Sequence, residues 1–135
     1  MKPTNFAKYL TEFLSVYLPR QKNMSKNTIC SYRDVFKLLI YYCQSIKNTS
    51  AEHITLDLLS KEYLVEFLEW LETTRKSSIA TRNQRLAALH SFFRYVQAEE
   101  PEGLFHFQKI MAIPLKKSEK TIVSSLSAEA IKIIL

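Results

Sequence analysis

A chain of 135 residues with a single glycine has few ways to build a sheet. Hairpins and bulges draw on glycine wherever the backbone turns through positive φ, so a sheet protein of this length needs several. What the sequence offers instead is long segments whose apolar residues recur at spacings of three and four, the period of an amphipathic helix. The expectation is an all-α fold. Apolar residues make up 47% of the chain, which argues for one buried core and against disorder throughout.

The first helix is expected from about Asn5 to Leu18, with Phe6, Leu10, Phe13 and Tyr17 on its apolar side and Pro19 as its end. A basic connection, PRQKNMS, follows. The second helix starts behind Ser25, a good N-cap. It carries Ile29, Tyr32, Phe36, Leu39, Cys43 and Ile46 on one face and ends near Lys47. NTSAEH reads as a loop and ITLDLL as a short lead-in. Ser60 caps a third helix, with Leu64, Phe67, Leu68 and Leu71 inward and Glu62, Glu66, Glu69 and Glu72 on a solvated face. The fourth helix begins at Ser77 or Ser78 and runs to about Ala98, with the stripe Leu86, Leu89, Phe92, Phe93 and Val96. EEPEG breaks it, and LFHFQKIMAI forms a short fifth helix. Residues 114–126, opened by Pro114, read as a linker. Ser127 then caps a further helix over 127–135, whose Ile131, Ile133, Ile134 and Leu135 are expected to be the first turns of a second domain that follows.

The formal net charge is +6, and its distribution says more than its size. Arg20, Lys22, Lys26, Arg33 and Lys37 stand against one acid, Asp34, in residues 20–37. Arg75, Lys76, Arg82, Arg85 and Arg94 stand against none in residues 75–94. The third helix between them is acidic. Segregation by element is what a molecule presenting one side to a polyanion would show. Cys30 and Cys43 fall in one expected helix, roughly 20 Å apart at 1.5 Å per residue, and so cannot pair with each other. Two free, buried thiols suit a reducing compartment. No apolar run approaches the length of a membrane span and no secretory h-region opens the chain. A soluble, cytoplasmic protein is expected.

Several kinds of chemistry are missing from the pattern. There is no glycine-rich phosphate loop and no metal-spaced set of cysteines and histidines. His53, His90 and His106 are scattered, each reading as a structural or surface residue. The acids of the third helix are spaced for solvent rather than as a facing pair. No catalytic residue, cofactor site or metal site is expected.

The fourth helix poses the sharper question. Arg82 and Arg85 share the direction of Leu86, Leu89 and Phe93 but come earlier along the axis. A guanidinium in a core needs a partner. Either acids of the third helix pair with these arginines, or the helix protrudes beyond the core and its first turns meet something else. Ser77, Ser78 and Thr81 occupy the same turns. Hydroxyls, arginines and the free N–H groups of a helix start are the usual donors to a DNA backbone, and arginine also reads guanine in the major groove. The second helix repeats the design with Ser25, Lys26, Asn27, Thr28, Ser31 and Arg33. A solvated basic face or a protein-docking surface fits the same residues.

The order of these features resembles the N-terminal core-binding domain of the tyrosine recombinases, or phage integrases. One pattern is Ser25, Thr28 and Tyr32 followed by Arg33. The second is Thr81, Arg85-Leu86, Ala88-Leu89, Phe92-Phe93 and Tyr95. The resemblance implies an orthogonal SAM-like bundle of four main helices over 1–113, with a short fifth helix and a C-terminal linker. It implies a clamp on the duplex of a recombination site, with strand cleavage and rejoining left to a catalytic domain that these residues do not include. By position it implies Lys26, Asn27, Thr28, Ser31, Arg33, Lys76, Ser78, Thr81, Arg82 and Arg85 as DNA-facing, with Tyr32 in the core and His90 outside the contact set. Implied partners are double-stranded DNA at the nucleoid and other protomers of a tetramer, docked through the first helix or through exposed aromatics near Phe105 and Phe107. No membrane and no small-molecule ligand is implied. The competing reading is a helical protein-interaction domain whose basic face binds an acidic partner. A helix-turn-helix regulator is disfavoured, because no tight three- or four-residue turn joins two short helices.

Overall fold

In the computed structural model the described residues are 5–117, and no strand occurs among them. The expected helix at 127–135 and the linker residues 118–126 lie outside the described residues. The elements are α1 (Asn5–Glu12), continued by a π-helical stretch (Phe13–Gln21), α2 (Lys26–Ser45), α3 (Lys61–Thr74), α4 (Ile79–Glu99) and α5 (Leu104–Met111). Short 3₁₀ turns at Ala51–His53 and Pro101–Gly103 join them.

Pro19 does not end the first helix, contrary to expectation. The chain widens into π geometry from Phe13 and carries Pro19 inside it to Gln21. Proline lacks an N–H and crowds the carbonyl one turn back, and a wider turn relieves the crowding. The helix stops instead at Asn23, in the left-handed conformation with φ 51°, where Met24 N–H closes onto the Leu18 carbonyl at 3.0 Å. Asn48 (φ 55°) and Lys76 (φ 54°) make the same kind of reversal after α2 and α3. A chain almost without glycine thus turns its helix ends with asparagine and, once, with lysine.

The one glycine serves a different purpose. A Cβ on Gly103 would stand 2.6 Å from the Phe107 ring. The absent side chain lets α5 fold back so that Phe107 seats beside Phe93 in the core. Phe107 is therefore buried, not exposed as expected, whereas Phe105 is 81% exposed.

The core centres on Phe13. Its ring stacks with Tyr17 and Tyr32 and meets Phe36, Phe92 and Tyr95 at steeper angles. Three elements distant in sequence, the π stretch, α2 and α4, converge there. Phe36, Leu39, Leu64, Phe67, Leu86, Leu89, Phe92 and Phe93 are all but fully buried around it. On α2 the buried set adds Val35 and Tyr42 to the expected stripe, while Ile46, beyond the helix end, is exposed. Cys43 is buried, but Cys30 is exposed. It lies one residue past Ile29, outside the inward arc.

All three histidines tie down backbone or a neighbouring turn. His90 Nε2 donates to the Ile110 carbonyl at 3.0 Å, and His106 Nε2 donates to the Leu56 carbonyl at 2.9 Å. His53 Nδ1 pairs with the Ser50 hydroxyl at 2.6 Å.

Candidate nucleic-acid interface

The starts of α2 and α4 are built alike, down to individual atoms. Ser25 Oγ accepts the Thr28 N–H at 3.2 Å and donates to Thr28 Oγ1 at 3.0 Å. Ser78 Oγ accepts the Thr81 N–H at 3.1 Å and donates to Thr81 Oγ1 at 3.0 Å. Each serine satisfies one orphan N–H of its helix start. Each threonine hydroxyl has accepted a hydrogen and so keeps its own for donation outward.

Packing of α2 against α4 brings the two threonines together. Thr28, Ser31, Tyr32, Asp34, Val35 and Leu38 line one wall of an open groove of about 490 Å³. Thr81, Gln84, Arg85, Ala87 and Ala88 line the other. The groove has an apolar floor, hydroxyls from both walls, one guanidinium and one carboxylate. Of the residues expected to meet DNA, four line it: Thr28, Ser31, Thr81 and Arg85.

Arg85 is half-buried and has no carboxylate partner among the described residues. Its Nη1 donates to Ser77 Oγ at 2.7 Å, and the Ser77 hydroxyl donates to the Leu71 carbonyl at 3.4 Å. Burial, and then the charge of Arg75, pull its guanidinium below the ordinary arginine value. A cation held in this way is stabilised by any anion that enters the groove.

Arg82 is placed differently, away from the exposed surface that its expected DNA-facing role calls for. It is only 6% exposed. Nη1 donates to the Pro114 carbonyl at 2.8 Å and to Asn83 Oδ1 at 3.2 Å, while Nε stands 3.8 Å from a Glu72 carboxylate oxygen. Of the two ways to accommodate an arginine on the apolar stripe, Arg82 takes the acid of the third helix and Arg85 takes the rim of the groove. The two arginines part company because only Arg82 has the chain beyond α5 folded over it.

The remaining candidates are exposed but outside the groove walls. Lys26 and Arg33, with Lys37, are seven and four residues apart and share one face of α2. That face lies on the far side of the helix from Val35 and Leu38. Asn27 is exposed in the first turn of α2, and Ser78 is committed to its cap. Lys76 is exposed in the left-handed turn just before α4. The basic surface of α2 and the α2–α4 groove are thus two separate faces, which charge counting along the sequence does not distinguish.

Gln84 and Asp34 were not expected at the site. Gln84 is three residues from Thr81, so helical spacing alone suffices to find it. Asp34 reaches the groove because α4 packs beside it, and nothing in the local sequence signals that.

Three comparisons bear on this arrangement. Residues 10–100 match the family model described as phage integrase, N-terminal SAM-like domain. Two proteins of Sinorhizobium fredii (strain NBRC 101917 / NGR234) are similar: "Putative integrase/recombinase y4rC" and its y4rD counterpart. The first is 33% identical over 134 residues, 99% of this chain and 40% of that protein. The second is 32% identical over 121 residues, 90% of this chain and 43% of that protein. The chain therefore spans well under half the length of either relative. No solved structure matches it.

Proposed function

The chain belongs to the phage integrase N-terminal SAM-like family, and from that premise we propose that it is the DNA-gripping module of a site-specific recombinase. Its task is to hold the duplex of a recombination site, while strand cleavage and rejoining are carried by residues outside this chain. Duplex DNA is the partner, joined on a full site by other protomers of the recombinase.

The observation that carries this reading is Arg85. A half-buried guanidinium without a carboxylate, beside Arg75 and between two hydroxyl-donating helix starts, is arranged for an anion. Phosphate contacts from helix starts, hydroxyls and arginine fix register on a duplex. Lys76 and Arg75 lie next to the groove in sequence and extend its positive rim. Lys26, Arg33 and Lys37 form a second basic strip on the opposite face of α2, a separate surface that suits phosphate. Asp34 tempers the groove. A carboxylate repels phosphate, but it accepts a hydrogen bond from cytosine N4, so its presence favours base edges over backbone at that point.

The test is fluorescence anisotropy of this chain on a labelled duplex at several salt concentrations. Binding is expected in the weak range of about 10⁻⁴ to 10⁻⁶ M, with a log–log salt slope of roughly −0.9 per phosphate neutralised. Arg85→Ala is expected to weaken binding about tenfold and to flatten the slope by about 0.9. Absence of binding at low salt by a folded chain overturns the reading. Binding to an acidic protein but not to duplex at the same salt replaces it with the protein-interaction alternative.

A further inference from the structure

The segment that leaves α5 does not trail away from the bundle. Ile113 is buried, and the next three residues lie across the start of α4. Arg82 Nη1 takes the Pro114 carbonyl at 2.8 Å. Asn83 grips both backbone polar groups of one residue, its Nδ2 donating to the Lys116 carbonyl at 2.8 Å and its Oδ1 accepting the Lys116 N–H at 3.0 Å. Lys116 Nζ then reaches α3, donating to both Glu72 carboxylate oxygens at 2.9 and 3.1 Å. The same carboxylate faces the Arg82 Nε at 3.8 Å.

We propose that Glu72, Arg82 and Asn83 form a clasp that fixes the path of residues 114–116 as the chain leaves the bundle. Two observations converge on it. The side-chain amide of Asn83 pairs with a single residue in both directions, which is how one strand recognises another. One carboxylate serves two cations from different elements, so the clasp ties α3, α4 and the departing segment into one unit. Arg82 Nε is buried without a hydrogen-bond partner among the described residues, a cost that the Pro114 and Glu72 contacts of the same guanidinium offset. The three residues are positioning residues, since none of them reaches the groove.

The consequence of the clasp rests on the proposed function. Arg82 and Asn83 lie in the same turns of α4 as Thr81 and Arg85. Residues 114–116 are thereby held to the helix start that would meet the duplex, and a rotation of that start would be felt along them.

The exposed Cys30 on α2 provides a natural labelling site, while Cys43 is buried. A nitroxide on Cys30 and a second on Lys117→Cys report the position of the segment by pulsed electron resonance, without DNA. One narrow distance distribution is expected. Asn83→Ala is expected to broaden it about twofold or more, toward the spread of a free chain, with the helical circular dichroism unchanged. Glu72→Gln, which leaves the Asn83 pairing in place but weakens the ion pairs, should broaden it less. A distribution already broad before substitution, or one that stays narrow in both folded variants, overturns the clasp. Because no DNA is present, failure of the chain to bind a duplex would overturn the proposed function and leave this result standing.

Discussion

Arg85 reaches back eight residues to Ser77, its Nη1 donating to the Ser77 hydroxyl at 2.7 Å, while that hydroxyl donates to the Leu71 carbonyl at the end of α3. The contact ties the groove-lining face of α4 to the end of the preceding helix. Ser77 thus aims the guanidinium through its hydroxyl. Ser77→Ala is expected to weaken duplex binding by only a few fold, because the charge stays but its direction is loosened. The salt slope should be unchanged, whereas Arg85→Ala reduces it by about 0.9. Anisotropy titrations of both variants across salt check the difference.

Arg82, three residues earlier, should behave in the opposite way. Its guanidinium holds the Pro114 carbonyl and faces Glu72 in a buried setting. Arg82→Ala is expected to lower stability by about 1–3 kcal/mol, the range for losing a charged hydrogen bond and leaving its partner unmet. The salt slope of duplex binding should stay that of the parent. Urea unfolding followed by circular dichroism gives the first quantity and anisotropy the second.

Lys76 occupies a left-handed position with φ 54°, where a side chain is disfavoured and glycine is not. Lys76→Gly is expected to stabilise the fold by about 0.5–1 kcal/mol, relief of that strain outweighing the added flexibility of the unfolded chain. Lys76→Ala keeps the strain and should bring no such gain. If Lys76 meets phosphate, both variants weaken duplex binding alike. Thermal unfolding beside anisotropy separates backbone from charge.

His90 links stability to pH. Burial, and to a lesser degree Arg94 and Arg82, hold its imidazole below the ordinary value of 6.5, while its bond to the Ile110 carbonyl acts in the other direction. Below pH 6.5 the unfolded chain takes up the proton before the folded one does. The stabilisation is therefore fully present above that pH and is lost as the pH falls through the lowered folded value. Urea midpoints are expected to fall on acidification below about pH 6.5, the unperturbed histidine range. His90→Gln, which can still donate to Ile110, should flatten that decline.

Much of the fold is legible along the chain because it is set by local chemistry. Ser25, Ser60 and Ser78 cap their helices where the sequence places them, each accepting the N–H three residues on. The stripes of α3 and α4 recur at helical spacing and are buried as expected. The matching Ser-x-x-Thr starts of α2 and α4 were likewise visible, since a cap is a contact within one turn. Pro19 shows where local rules stop short. The sequence marks it as a helix breaker, but the Phe13 cluster keeps the turns around it packed, and the backbone widens rather than ends.

The candidate site divides along the same line. That Thr28, Ser31, Thr81 and Arg85 are polar residues at helix starts is written in the sequence, and so is the segregation of charge between elements. Which of them share a groove depends on how α2 and α4 cross, a matter of contacts between residues some fifty positions apart. Arg82 and Arg85 are alike in type, spacing and neighbourhood, and no reading of the chain alone tells them apart. Tertiary structure does, because Pro114, Lys116 and Glu72 arrive from two other segments and cover one guanidinium while leaving the other at the rim. A buried cation needs partners, and where the partners come from distant parts of the chain, only the assembled fold decides which arginine is buried and which stays available.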